Sequence, residues 1–104
     1  DMREMYYVSH PFTGDEEMNR KEAREITAWL KTKYPEHIFI NPLDTFQYTD
    51  GWPYEKALEN CIELLHKCSG IIMTGDWGKS RGCRKEIKAA AQLSMKITLL
   101  EQWL

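Results

Sequence analysis

Residues 71–82 read Ile-Ile-Met-Thr-Gly-Asp-Trp-Gly-Lys-Ser-Arg-Gly, and this stretch decides the fold. The apolar and β-branched residues 71–74 are typical of a strand that is buried on both faces of a sheet. The turn-forming residues that follow predict a loop, and Ser80 is a suitable start for a helix that runs to about Ser94. A strand, a loop and a helix in this order form the repeating unit of a parallel α/β sheet.

The same alternation of strand and helix extends along the rest of the chain. Further short apolar runs predict strands at 5–8, 37–41 and 96–100. One helix is predicted between Asp15 and Pro35, and another between Pro53 and Gly70, each with an apolar stripe. The order β-α-β-α-β-α-β therefore predicts an α/β fold. We expect three α/β/α layers around a parallel, Rossmann-like sheet of about four strands in the order 2-1-3-4.

Length and charge limit the possible classes of function. The 104 residues predict one domain over 1–104. Fourteen Lys and Arg residues against sixteen Asp and Glu residues give a formal net charge of −2, which argues against a nucleic-acid polymer as partner. The chain lacks the run of about 18 apolar residues that a membrane span requires. Because a core of this size is modest, we expect a homodimer or a higher homo-oligomer.

The three cysteines predict a cytoplasmic protein without disulfides. Cys61 and Cys68 lie two turns apart along one helix, about 10 Å, which is too far for a disulfide. Cys83 lies outside any Cys-x-x-Cys motif. The sequence also lacks histidine and cysteine clusters with metal-ligand spacing, so we expect neither a metal nor another cofactor.

Three loops are expected to meet at the carboxyl ends of the strands, where parallel α/β folds bind ligands. They are residues 9–14, 42–51 and 75–82. In the third loop, glycines permit a close approach of the backbone, and the helix start at Ser80 attracts an anion. The alternative interpretation of this loop is an ordinary capped helix start whose basic residues are solvated and bind no ligand. We therefore predict a cleft for a nucleotide-like ligand, with Phe12 and Trp77 placed to stack on a planar base.

Glu86 is the strongest candidate for a reactive group. At helical spacing it shares a face with Cys83, Ile87 and Ala90, which indicates that this glutamate turns inward. A carboxylate among apolar neighbours beside a cleft is suited to act as a nucleophile or a base. The alternative is an exposed helix glutamate that pairs with a neighbouring lysine.

Tyr-Tyr-Val-Ser-His-Pro-Phe-Thr-Gly at 6–14, Asn41-Pro42 and the segment from 75 to 86 together resemble the nucleoside 2-deoxyribosyltransferase-like superfamily. The chain is most similar to its small bacterial and phage members, which are related to 2′-deoxynucleoside 5′-phosphate N-hydrolases. The resemblance implies cleavage of an N-glycosidic bond, with Glu86 as the catalytic nucleophile. It also implies sites that are completed by a neighbouring subunit. The implied substrate-binding residues are Ser9, His10, Pro11, Phe12, Asn41, Asp76, Trp77, Ser80 and Gly82.

One departure from the family pattern concerns the second long helix, where active members carry an aspartate that helps to protonate the base. The matching position here is Cys61. General acid assistance is worth about 10²–10⁴-fold in rate, so its loss weakens the case for catalysis. Three hypotheses remain open: a deoxynucleoside or deoxynucleotide glycosidase or transferase, a non-catalytic nucleotide-binding module, and an interaction domain that uses Trp103 and Leu104.

Overall fold

A four-stranded parallel sheet forms the centre of the computed structural model, which describes residues 3–104. The strands are β1 (Met5–Ser9), β2 (Ile38–Ile40), β3 (Gly70–Met73) and β4 (Lys96–Leu99). They are arranged in the order β2-β1-β3-β4, and every neighbouring pair is parallel. The predicted α/β fold, parallel sheet and strand order 2-1-3-4 are confirmed.

Four α-helices within the described residues connect and cover the strands. They are α1 (Glu16–Lys33), α2 (Pro42–Thr45), α3 (Tyr54–His66) and α4 (Arg81–Gln92). The side chains of Asp15 and Ser80 cap α1 and α4 by accepting hydrogen bonds from the amides of Met18 and Cys83, each at 3.2 Å. These caps confirm both helix starts that were predicted from the sequence. Within residues 3–104, none of the helices has the length and apolar character needed to cross a membrane.

The two faces of the sheet bury different helices. Successive side chains of β1 point to opposite faces. Tyr7 packs with Leu65 of α3 and Ala90 of α4, whereas Val8 packs with Leu30 of α1. All four residues of β3 are buried, as the sequence predicted. The helices therefore form two outer layers around the sheet, which confirms the three-layer architecture.

The prediction of an irregular loop over 42–51 is wrong at its start, because residues 42–45 form the short helix α2. The side-chain oxygen of Asn41 accepts a hydrogen bond from the Leu43 amide at 3.2 Å, which caps the helix. Pro42 has the fixed φ that a first helical turn needs and lacks an amide hydrogen that this turn would leave unpaired. A local cap and a proline thus suffice for one turn.

The last residues extend the core on the α1 side of the sheet. β4 ends at Leu99, one residue before the predicted end, because residues 100–102 turn into a short 3-10 helix. The ring of Trp103 packs edge-on against Tyr6 and Tyr34, with centroid distances of 4.9 and 5.0 Å. Its Nε1 donates a hydrogen bond to Thr98 at 2.8 Å. Trp103 is therefore partly buried against the core, whereas Leu104 is 70% exposed.

Candidate active site

A cavity of about 380 Å³ opens at the carboxyl ends of the strands. Its walls come from the loop after β1, from the first turns of α1, from α2 and the segment that follows it, from α3, and from the start of α4. The chain crosses from β1 to β2 on one side and continues to β3 on the other, and ligands bind at such a switch point in this class of fold. The volume suits a small organic ligand.

Glu86 lines this cavity from the second turn of α4, and it is only 7% exposed. Two hydroxyl groups of β1 donate to its carboxylate. The Oη atom of Tyr7 lies 2.5 Å from Oε2, and the Oγ atom of Ser9 lies 2.7 Å from Oε1. Each carboxylate oxygen thus has its own donor, which fixes the position of the group. The burial of this helix face, predicted from its spacing, is confirmed.

The environment of Glu86 perturbs its ionisation. Burial raises the pKa of Glu86 above its ordinary value, and the hydrogen bonds from Tyr7 and Ser9 partly oppose this by stabilising the charged form. Burial and then the charge of Glu86 raise the pKa of Tyr7 well above its ordinary value. The phenol therefore keeps its proton and remains a donor. A carboxylate with a perturbed pKa in a cavity is typical of a functional site.

Glu86→Gln is expected to stabilise the fold at neutral pH. Because the pKa of Glu86 is raised in the folded state, the free energy of unfolding falls as pH rises from the ordinary carboxyl value through the raised one. The neutral amide avoids this cost, so the free energy of unfolding of the variant should exceed that of the parent at neutral pH. The gain should vanish below about pH 4, where both states of the parent are protonated. Urea unfolding of parent and variant at both pH values measures the difference in the free energy of unfolding. Equal free energies at neutral pH would contradict the predicted cost of burying the charge of Glu86.

Cys61 lines the same cavity from α3. Burial and the charge of Glu86 raise the pKa of Cys61 to about 11, so the thiol is neutral and a poor proton donor at physiological pH. The other acidic residues of the lining, Glu16 and Asp50, are exposed. Within residues 3–104, no group of three or more His, Cys, Asp or Glu side chains is placed to hold a metal ion.

Gly75 allows the loop after β3 to pack against the loop after β1. Its φ is +64°, and a Cβ atom there would lie 2.9 Å from Nε2 of His10 and 3.1 Å from Cδ of Pro11. His10 is held on both sides: Nδ1 lies 2.8 Å from the carbonyl oxygen of Pro11, and Nε2 lies 3.0 Å from the carboxylate of Glu22. His10 therefore lines the cavity while both of its ring nitrogens are engaged with the protein.

The start of α4 contributes Ser80 and Gly82 to the cavity wall. The first amides of a helix have no acceptor within the helix, and the helix dipole places partial positive charge there. Ser80 accepts a hydrogen bond from the Cys83 amide through Oγ and still has its own hydroxyl hydrogen to donate. An anionic group of a ligand would be stabilised at this wall.

The two roles of Ser80 are separable by substitution. Ser80→Ala removes the cap of α4 and is expected to lower the free energy of unfolding by about 1 kcal/mol. Ser80→Asp keeps a capping oxygen and should retain the parent stability, but its charge should repel an anionic ligand at the same wall. Urea unfolding measures the first effect, and nucleotide binding by calorimetry measures the second. Equal stability of parent and Ser80→Ala would show that the cap contributes nothing.

The structure brings half of the predicted site residues together around the cavity. These are His10, Phe12, Ser80, Gly82 and Glu86. Ser9 is fully buried and does not line the cavity itself, but it orients the carboxylate of Glu86 through a hydrogen bond. Pro11 packs against Gly75 instead of lining the wall.

Three other predicted residues lie outside this wall. Asn41 caps α2 and lines a second, more open cavity of about 320 Å³ beside α1. Asp76 is exposed and lies 3.5 Å from the ammonium group of Lys79. Trp77 packs against the core on the α3 and α4 side. The stacking position predicted for Trp77 is thus not part of the cavity, whereas Phe12 is.

Several lining or supporting residues were not predicted from the sequence. Tyr7 has the sequence pattern of an ordinary core residue, because in a strand buried on both faces the pattern does not distinguish a functional side chain from a packing one. Arg20 lines the cavity from α1, and its position depends on α2, which was not predicted. The segment after α2 adds Phe46 and Trp52, whose ring centroids lie 6.3 Å apart. Their presence in a loop rich in aromatic residues was the one available signal.

Comparison with known protein families gives a match that covers most of the chain. The family described as "Domain of unknown function (DUF4406)" matches residues 4–99. This range contains all four strands and every residue that lines the cavity. No curated protein matches the chain. Since the match covers most of the sequence, this chain belongs to the DUF4406 family.

Proposed function

We propose that this protein cleaves the N-glycosidic bond of a deoxynucleoside or its 5′-monophosphate, with Glu86 as the nucleophile. The observation that carries the proposal is the buried carboxylate of Glu86 in the cavity, with one hydroxyl donor on each oxygen. Such an arrangement is suited to a nucleophile that must be held in one orientation. The resemblance of the chain to the nucleoside 2-deoxyribosyltransferase-like superfamily supports the same role.

The proposed reaction has two steps. An oxygen of Glu86 attacks C1′ of the deoxyribose, the C1′–N bond breaks, and its electron pair leaves with the base. The base then takes a proton from water. In the second step water attacks C1′ of the sugar ester, the bond from C1′ to the Glu86 oxygen breaks, and its electron pair regenerates the carboxylate as the sugar is released. The proton lost by the attacking water neutralises the hydroxide that formed when the base was protonated. A second base in place of water gives deoxyribosyl transfer instead of hydrolysis. Tyr7 and Ser9 orient the carboxylate throughout.

The cavity offers different chemistry to the two ends of such a ligand. Ser80, Gly82 and the first amides of α4 suit a 5′-phosphate or a sugar hydroxyl. Phe12, Phe46 and Trp52 supply aromatic surface for the base. A nucleoside monophosphate would thus place its sugar between these two regions.

Incubation of the protein with each deoxynucleoside and each deoxynucleoside 5′-monophosphate, followed by chromatography for free base, tests the proposal. We expect one or more substrates to release base with the parent, and none to do so with Glu86→Ala. Release that continues at the parent rate in Glu86→Ala would overturn the proposed mechanism. Parallel binding measurements with Glu86→Ala separate a loss of chemistry from a loss of binding.

A non-catalytic nucleotide-binding module of the same fold is the second candidate, and the neutral thiol of Cys61 favours it. A cavity without a strong acid beside Glu86 gives the leaving base little assistance. This candidate predicts thermal stabilisation by a nucleotide without release of base. Ligand at one hundred times its dissociation constant should add about 2.7 kcal/mol to the free energy of unfolding. The absence of stabilisation by every nucleotide would exclude it.

A further inference from the structure

Arg20 connects three parts of the cavity wall. It extends from α1, and its Nη1 donates a hydrogen bond of 2.6 Å to the carbonyl oxygen of Leu43 in α2. Its guanidinium carbon lies 5.0 Å from the centroid of the Phe12 ring, in the loop after β1. These two contacts orient the guanidinium plane, and an arginine has five N–H donors. Most of its donors therefore remain for a ligand.

Arg20 is also the one Lys or Arg side chain in the cavity lining formed by residues 3–104. Three acidic residues share this lining: Glu16, Asp50 and Glu86. None of the ion pairs in the described part of the chain involves Arg20. The other basic group, His10, already has both ring nitrogens beside acceptor oxygens. A positive group without an acidic partner in a cavity wall favours an electron-rich atom of a ligand.

The strand order puts the segment that Arg20 contacts and the segment that carries Ser80 on opposite sides of β1. β1 lies between β2 and β3 in the sheet. Arg20 contacts Leu43, just beyond β2, whereas Ser80 follows β3, and Glu86 is bonded to side chains of β1. Neighbouring strands are about 4.8 Å apart, so β2 and β3 are separated by roughly 10 Å, with β1 and its contacts to Glu86 between them. A ligand with its phosphate at Ser80 and its C1′ atom at Glu86 would extend its base toward the α2 side of the cavity, where Arg20 lies.

We propose that Arg20 binds a carbonyl oxygen of the leaving base, and that it makes the protein selective for bases that carry such a group. The inference rests on the proposed function and names the substrate class of the same site. When the C1′–N bond breaks, the electron pair that stays with the base is shared with its carbonyl oxygen. The guanidinium of Arg20 donates to this oxygen and stabilises the departing anion. This interaction stabilises the negative charge of the departing base, which is part of the assistance that protonation by a general acid would give.

An amino group at the same position of the base is disfavoured. Arginine has donors and no acceptor, and the amino group of adenine also presents donors. Two donors that face each other leave both unpaired, and a buried unpaired polar group is costly. Hypoxanthine differs from adenine at this ring position by an oxygen in place of the amino group. Deoxyinosine and deoxyadenosine 5′-monophosphates are therefore a matched pair of substrates.

The test compares kcat/KM for base release from this pair by the parent, by Arg20→Met and by Arg20→Lys. We expect the parent to favour deoxyinosine monophosphate at least tenfold, which is about what one hydrogen bond to a charged group contributes. Arg20→Met should lower release of hypoxanthine about 10- to 100-fold and leave release of adenine nearly unchanged. Arg20→Lys keeps the charge without the planar fork and should fall between parent and Arg20→Met.

Arg24→Met is the matched control. Arg24 also extends from α1 to α2, where its Nε lies 2.8 Å from a carboxylate oxygen of Asp44, but it lies outside the cavity lining. This variant should keep the parent ratio between the two substrates. An equal loss for both substrates in Arg20→Met would overturn the proposal, because it would indicate a merely structural role.

Deoxyinosine without a phosphate provides a further test, because it shows whether the effect of Arg20→Met depends on the phosphate. The loss in Arg20→Met should be the same with this nucleoside as with the monophosphate. A loss that is confined to the monophosphate would overturn the proposal, since Arg20 would then bind phosphate.

If the parent releases no base at all, the proposed function fails on its own. In that case tighter binding of deoxyinosine than of deoxyadenosine monophosphate, lost in Arg20→Met, still supports recognition by Arg20, and equal binding overturns it.

Discussion

Glu86→Gln is expected to lower the rate of base release from an accepted substrate at least about 10³-fold, because the amide cannot form the sugar ester. The substitution keeps the size of the side chain, and the hydroxyls of Tyr7 and Ser9 can rotate to accept or donate. Substrate binding should therefore remain close to that of the parent. Single-turnover release of base, with binding measured separately by calorimetry, checks both expectations.

Glu63→Gln is the matched control for this variant. Glu63 is exposed on α3 and lies outside the cavity lining, so the control removes a carboxylate without touching the site. It should release base at the parent rate. A Glu86→Gln protein with more than about one tenth of the parent rate would contradict a nucleophilic role, because loss of a nucleophile costs orders of magnitude in rate.

Cys61→Asp is expected to raise the rate of base release by about 100-fold, which lies within the usual contribution of a general acid. The new carboxyl group would be mostly buried in the cavity wall beside the negative charge of Glu86, as the thiol of Cys61 is. Both effects raise the pKa of a carboxyl group, so the aspartate should hold a proton near neutral pH and donate it to the departing base. The pH profile of kcat/KM should gain a descending limb at the pKa of the new acid.

Cys61→Ser is the control for Cys61→Asp, because it replaces the thiol by a hydroxyl that is likewise uncharged and no better as an acid. Its rate should stay near that of the parent. Equal rates for Cys61→Asp and Cys61→Ser would contradict the idea that the site lacks only an acid. Release of base by Cys61→Asp from a parent that releases none would instead support the binding-module candidate for the natural chain.

Much of the fold could be predicted from local patterns. The apolar runs of β1 and β3 are continuous because both faces of the sheet are covered, and that continuity distinguishes them from exposed strands. Asp15 and Ser80 predicted the helix starts because a cap depends on a few neighbouring residues. The inward face of α4 followed from helical spacing, and this alone predicted the burial of Glu86.

Other parts of the candidate site depend on contacts that local patterns do not contain. Tyr7 is 79 residues from Glu86 in the chain, and only the register of the folded strands brings the two together. Arg20 lines the cavity because α2 offers the carbonyl of Leu43, and a helix of one turn has almost no periodic signal. Trp77 carried an aromatic ring in a glycine-rich loop, but the short 3-10 turn around it directs it to the core.

Rapid quenching of the protein with its best substrate, followed by intact-protein mass spectrometry, tests the covalent role of Glu86 most directly. The account predicts a transient species heavier by one deoxyribosyl group, or by its phosphate ester, that forms as the base is released. Peptide mapping should place the added mass on the peptide that contains Glu86, and Glu86→Gln should show no such species. Release of base while the protein mass stays unchanged at every time point, or an adduct on a different peptide, would contradict the account.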